Sequence, residues 1–241
     1  NLHRSPYNAR NHEYYSEDAV LTSGQAVAFI SGGKEYGVII APKHLAFNDT
    51  EINRTGVSVF MTEQQARENE LRGTQAAIED AGALGVMTAF NRVGITATNA
   101  HTGLLKNILR GEWGFKGLES QDFIMNPNYA VLKEYALNGG TMTTFTGENT
   151  MAAVSEKFAY WTTENVGQDT ELMSAIKQAM TWQAYALANS NALDGMASST
   201  RLVSVRTWYD NALVAVQVVF AALTVLAAAM YVLNDRKSKK Q

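Results

Sequence analysis

The sequence has no cysteine, three prolines and four histidines among its 241 residues. Without thiols there can be no disulfide framework and no thiolate metal site. His3, His12, His44 and His101 form neither HxH nor HExxH, so a resident metal is not expected. Charged residues make up only 18% of the chain and the formal charge is −3, which gives no electrostatic reason for a nucleic-acid partner. The neighbouring glycines of SGGKEYG, Ser31 to Gly37, lack the GxxxxGK pattern and read as a turn rather than a phosphate cradle. No cofactor is expected.

What the chain has instead is apolar length. Hydrophobic residues reach 46%, and from Ala212 to Leu233 the run ALVAVQVVFAALTVLAAAMYVL contains Gln217 as its only strongly polar member. About 20 such residues cross a hydrocarbon core as a helix. Trp208 and Tyr209 precede the run where interfacial aromatics belong, and Arg236, Lys237, Lys239 and Lys240 follow it. The expectation is a single-pass helix over 212–233 with a basic cytoplasmic tail, 234–241. The residues before it are then extracellular and the lipid bilayer is a partner. Asn1 is not an initiator methionine, and the expectation is that an upstream signal has been removed or that the chain is the end piece of a longer protein.

Ahead of the span, strand and helix patterns alternate. YGVIIA, Tyr36 to Ala41, reads as a strand covered on both faces. Thr62 to Gly82 reads as a helix, capped by Thr62 with Gln65 closing the box and stopped by Gly82. Strands follow over Leu84 to Phe90, up to Gln121, and weakly over Gly139 to Gly147, with helices over Thr102 to Arg110 and Pro127 to Leu137 between them. Such alternation predicts a parallel sheet, and four units amount to half of a (β/α)8 barrel. The polar surprises, Lys43-His44, Phe90-Asn91 and Asp122, all fall at the downstream strand ends, the active face of such barrels. A partial barrel is therefore expected over 1–168. An amphipathic helix and connector, 169–200, should carry an apolar stripe of Leu172, Met173, Ile176, Ala179, Met180, Ala184 and Leu187 onto it, and a juxtamembrane segment, 201–211, follows.

Arg10, Lys43, His44 and Asn91 supply donors of the kind that hold sugar hydroxyls, while Phe90, Trp113 and Phe123 could lie under an apolar ring face. Glu13, Glu17, Asp18, Asn48, Glu51 and Arg54 complete the polar candidates, with Glu17 and Asp18 read as helix caps and Glu51 as a residue that could reach the site.

Three segments in the right order carry a resemblance. They are NARNHEYYSEDAVL (Asn8 to Leu21), GVIIAPKHLAFNDTEINR (Gly37 to Arg54) and LGVMTAFNRVGITATNAHTGLLKNILRGEWGFKG (Leu84 to Gly117). Together they resemble the GRxFExxxEDP, KHF, NDxExxR, AYN and LRxEWGFxG motifs of glycoside hydrolase family 3, across roughly the first 150 residues. The resemblance implies the C-terminal part of the family's barrel domain, followed by a membrane anchor. It implies retaining, β-glucosidase-like hydrolysis of β-linked glucosides or short glucans from the non-reducing end. Asp122 falls on the nucleophile. Arg10, Lys43 and His44 fall on hydroxyl-binding positions, with Phe90 and Phe123 beside the sugar and Glu51 and Asn91 behind them. Nearby cations should keep Asp122 ionised. The general acid is expected from outside this chain, from the upstream half of the protein or a second chain completing the barrel. Gln121 and Phe123 flank the nucleophile where the family has Ser and Trp, Phe90 stands for a tyrosine, and Met142 for an aspartate. These departures keep a second reading open, a membrane-anchored carbohydrate-binding or scaffold protein without catalysis.

Overall fold

The computed structural model describes residues 1–48, 50–54, 56–123, 131–144, 161–196, 200–201 and 203–238. It divides into two units, residues 1–194 and 195–241.

The first unit opens with a loop and a short 3-10 turn, Asn11–Glu13. Helix α1, Ala19–Lys34, begins where Asp18 accepts the Leu21 amide at 2.7 Å, an N-cap that satisfies one of the helix's orphan donors. Strand β1, Lys43–Leu45, and the two-residue β2, Ser58–Val59, follow. Helix α2, Glu63–Gln65, is capped by the Thr62 hydroxyl and widens through a π turn, Ala66–Glu70, into α3, Arg72–Glu79. Next come β3, Gly85–Thr88, then β4, Arg92–Val93, and β5, Thr96–Ala97. The π-type helix α4, Gly103–Glu112, precedes β6, Leu118–Gln121. Helices α5, Leu132–Leu137, α6, Thr163–Gln168, and α7, Thr170–Ala188, complete the unit.

β1, β3 and β6 form one parallel sheet in that order, and β2, β4 and β5 form a second, mixed one. This corrects the expected barrel half: the described residues contain two three-stranded sheets and no closed barrel. The anticipated first strand, Tyr36 to Ala41, is not paired, and pairing starts only at Lys43. The anticipated fourth strand reduces to one bridge, Ser120 to Met142, with residues 145–147 outside the described set. Residues 127–130 of the helix expected over Pro127 to Leu137 also lie outside it.

The main sheet packs on the helices through a core that includes Leu45, Leu71, Val86, Leu105, Leu109 and Phe115. Each of these removes roughly 1.5–3 kcal/mol worth of apolar side chain from water. Gly117 lets β6 approach β3, since a Cβ there would fall 2.2 Å from the Leu84 carbonyl oxygen. α7 covers this chain's own α5. It buries Leu172, Ala179 and Ala186 and leaves Met180 exposed, so its buried face only partly follows the expected stripe.

Two polar side chains tie the layers around β6. The guanidinium of Arg110 donates to the carbonyls of Phe115, Gly117 and Gly139 at 2.7–3.0 Å and lies over the Trp182 ring at 3.8 Å. The Tyr135 hydroxyl accepts the Gln121 amide and shares its proton between the carbonyls of Glu119 and Met142. Between these groups sits Glu119, with no exposed surface and with neither carboxylate oxygen at hydrogen-bonding geometry to a described group.

The second unit contains α8, Trp208–Ser238, of which Trp208–Leu233 is long and apolar enough to cross a membrane. Among the described residues it is the one such helix.

Burial pushes the Glu119 carboxyl up from 4.5 to about 7, against the pull of the nearby Arg110 charge. Between those two pH values the folded chain keeps a proton that the unfolded chain has released, so the contribution of Glu119 to stability falls as pH rises through this window. Glu119→Gln removes the titration. Chemical unfolding followed by tryptophan fluorescence should find the variant about equal to the parent near pH 4.5 and more stable by about 3 kcal/mol at pH 8. A parent–variant difference that does not grow between those values would show that Glu119 is ionised in the fold.

Candidate active site

The site is built by strand register. Leu45 pairs with Thr88 and Thr88 with Gln121, so the three strands of the main sheet end at one level. One residue beyond β6, the Asp122 amide donates to the Thr88 carbonyl at 3.2 Å, which fixes the carboxylate at the downstream edge. One residue before Leu45, His44 projects to the same place: its Nε2 lies 3.6 Å from Asp122 Oδ2. Both side chains are buried.

Arg10 reaches in from the N-terminal loop, with Nη2 3.4 Å from His44 Nε2. Its Nε donates to Glu13 Oε1 at 2.5 Å and its Nη1 to Glu51 Oε1 at 3.2 Å. Lys43 Nζ meets Glu13 Oε2 at 2.8 Å, and Arg54 Nη1 meets Glu51 Oε2 at 3.1 Å. Arg10, Lys43, Glu13, Glu51 and Arg54 thus alternate in sign around the histidine and the aspartate. The sequence-predicted Arg10, Lys43, His44, Glu51 and Asp122 come together here.

The aromatic and amide candidates separate. Phe123 is 45% exposed beside the nucleophile candidate, and its amide donates to Asp122 Oδ1 at 2.8 Å. Phe90 is buried, with the Arg54 guanidinium 4.5 Å above its ring, so Arg54 covers the face that was expected to meet a ligand. Trp113 belongs to the hydrophobic core and offers the site no ring. Asn91 is buried and spends its amide on the Ala46 carbonyl at 2.9 Å, so it braces the loop after β1. Sequence reading weighed Glu13 without giving it a part. Its signal was its place three residues after Arg10, the spacing at which a helical turn brings side chains together.

The electrostatics follow from burial and pairing. Burial, reinforced by the charges of Arg10 and Lys43, holds His44 down at about 3, a neutral imidazole. Glu13 is lowered to about 2, chiefly by its bond to Arg10, with burial opposing and Lys43 adding to the effect. Asp122 differs from expectation. Burial raises it above its ordinary 3.8, and the Phe123 amide with Arg54, Arg10 and Lys43 offsets this only in part. The result is a carboxylate more basic than one in water, facing a neutral imidazole and ringed by paired cations. Such a group is fit to attack an electrophilic carbon. Glu13 and Glu51, each bonded to two cationic side chains, are placed as counterions rather than proton donors.

Residues 1–158 match the description "Glycosyl hydrolase family 3 N terminal domain". The chain belongs to glycosyl hydrolase family 3. The match corrects the segment inferred from the motifs, because it falls on the family's N-terminal domain and not on a C-terminal part of the barrel. A beta-glucosidase of Rhizobium radiobacter is 41% identical over 123 residues, which is 51% of this chain and 15% of that relative. The probable beta-glucosidase J of Emericella nidulans is 39% identical over the same length, again 51% of this chain and 14% of the relative. Among solved structures, beta-glucosidase 3B from Thermotoga neapolitana in complex with glucose superposes with a TM-score of 0.69 at 29% identity. That likeness covers 80% of this chain and 26% of the solved one. The chain therefore spans about one seventh of the curated relatives it matches.

Proposed function

We propose that the whole protein hydrolyses β-linked glucosides or short glucans from the non-reducing end with retention of configuration. The observation that carries this reading is the Asp122 carboxylate, buried 3.6 Å from His44 and within the reach of Arg10, at the shared end of three parallel strands. Family membership and beta-glucosidases among the relatives support it.

In this reading Asp122 attacks the anomeric carbon while the C–O bond to the aglycone breaks and the leaving oxygen takes a proton from a general acid. Water then attacks the glycosyl ester, releasing the sugar and returning the carboxylate. Elevated basicity favours the attack, and the surrounding cations keep the ester a workable leaving group. Arg10, Lys43 and His44 hold the hydroxyls of the terminal sugar, and Phe123 offers the exposed ring face. Phe90 acts through Arg54, which it carries toward Asp122. In this reading the general acid is supplied by another part of the protein or by a second chain, because among the described residues the two carboxylates beside the cluster, Glu13 and Glu51, are held in ion pairs. The same reading places α8 across a bilayer once, with residues 1–211 outside and the basic tail in the cytoplasm.

A 2-deoxy-2-fluoroglucoside with a good leaving group tests the chemistry, because the fluorine slows ester hydrolysis and traps the intermediate. Peptide mass mapping should find one fluoroglucosyl unit on Asp122. Asp122→Asn should abolish the adduct and lower turnover by about 10⁴-fold, the scale of losing a residue of the attacking unit. Absence of any adduct, with glucose still bound, would favour the non-catalytic carbohydrate-binding reading.

The lack of native cysteine makes topology directly measurable. In intact cells a membrane-impermeant maleimide should label Thr200→Cys, whereas Ser238→Cys should react only after permeabilisation. The opposite pattern would reverse the orientation.

A further inference from the structure

Glu13 holds two cations at once. Its Oε1 accepts from Arg10 Nε at 2.5 Å and its Oε2 meets Lys43 Nζ at 2.8 Å, one oxygen to each. The two partners arrive from different places, Arg10 from the N-terminal loop and Lys43 from the edge strand of the main sheet. Only the short turn Asn11–Glu13 sets the carboxylate between them. Arg10 is pinned a second time by Glu51 at Nη1, so of its three nitrogens Nη2 alone is turned toward His44 and the site. The Lys43 side chain stays 41% exposed, leaving two of its three ammonium protons for a ligand.

We propose that Glu13 is a positioning residue that spaces Arg10 and Lys43 for sugar hydroxyls and keeps both cations from closing on the Asp122 carboxylate. The role rests on the glycosidase reading of Asp122. Its physical basis is charge balance in a half-buried cluster: Arg10, Lys43 and Arg54 face Glu13, Glu51 and Asp122, and neutral His44 lies among them. Removing the charge of Glu13 leaves three cations to share two anions. Arg10 then keeps Glu51 alone and Lys43 loses its carboxylate partner, so both cations are drawn further toward Asp122, which would lose basicity and access to a sugar. Because Glu13 is held at about 2, it stays a counterion across the working pH range.

Three variants separate this role from simple support of the loop. Glu13→Gln keeps the shape and loses the charge, while Glu13→Asp keeps the charge but is one methylene too short to reach both partners. Glu17→Gln, an exposed neighbour, is the control. D-glucose titrations and the pH profile of labelling by the fluoroglucoside are read on the whole protein. Glu13→Gln should weaken glucose binding about tenfold or more and move the acid limb of labelling to lower pH, since Asp122 gains unopposed positive neighbours. Glu13→Asp should also weaken glucose binding but leave the acid limb where the parent has it. Should Glu13→Gln fail to fold, Glu13→Asp decides on affinity. Parental affinity and an unmoved limb in Glu13→Gln, or parental affinity in Glu13→Asp, overturns the role. A parent that binds no glucose and takes no label refutes the glycosidase reading instead, and the positioning role with it.

Discussion

The parallel register of the main sheet is the constraint on which the rest depends. Leu45, Thr88 and Gln121 share one level, and the residues next to the two outer members are His44 and Asp122. Because strand residues alternate faces, a slip of one position in β1 or β6 would turn one of these side chains away. The backbone bond from Asp122 to Thr88 and the Tyr135 hydroxyl at the Gln121 amide hold β6 in place, and the packing of Leu45 and Val86 holds β1 and β3. The site is thus a consequence of pairing and core packing, and its precision is inherited from them.

Burying a carboxylate beside a histidine and an arginine creates an electrostatic problem that the chain answers in two ways. At the sheet edge, cations and carboxylates alternate, so that Asp122 feels positive charge without being seized by it. Deeper in the same strand, Glu119 has no such ring. It is fully buried, and proton uptake is the cheaper solution. Two acids three residues apart, one inside β6 and one just past its end, therefore take opposite routes, Asp122 stabilised by neighbouring charges and Glu119 by protonation.

Much of this was legible from residue types. Thr62 caps its helix, and Asp18 caps α1 through the Leu21 amide, because short oxygen-bearing side chains before apolar runs satisfy orphan donors. The strands around Met87 and before Asp122 declared themselves, and so did the gathering of Arg10, Lys43, His44 and Asp122. Other features depend on partners that one segment cannot reveal. The β-branched run Tyr36 to Ala41 stays unpaired, and β1 begins at Lys43, two residues after the run has ended. The second sheet rests on strands of two residues each, too short to leave a periodic signal. Phe90 reads as a sugar platform until Arg54 is seen lying on it, and Trp113 until the core closes over it. The cations near Asp122 suggested a depressed carboxyl, whereas the depth of burial, invisible in the sequence, reverses the sign.

The ionisation of Asp122 joins register, burial and chemistry in one number. Selective ¹³C labelling of aspartate carboxyls, with Asp122→Asn to assign the signal, gives its titration midpoint in the folded chain. The account predicts a midpoint above the ordinary 3.8. A midpoint at or below that value would mean that pairing outweighs burial, and that the carboxylate is a bound counterion rather than a poised nucleophile.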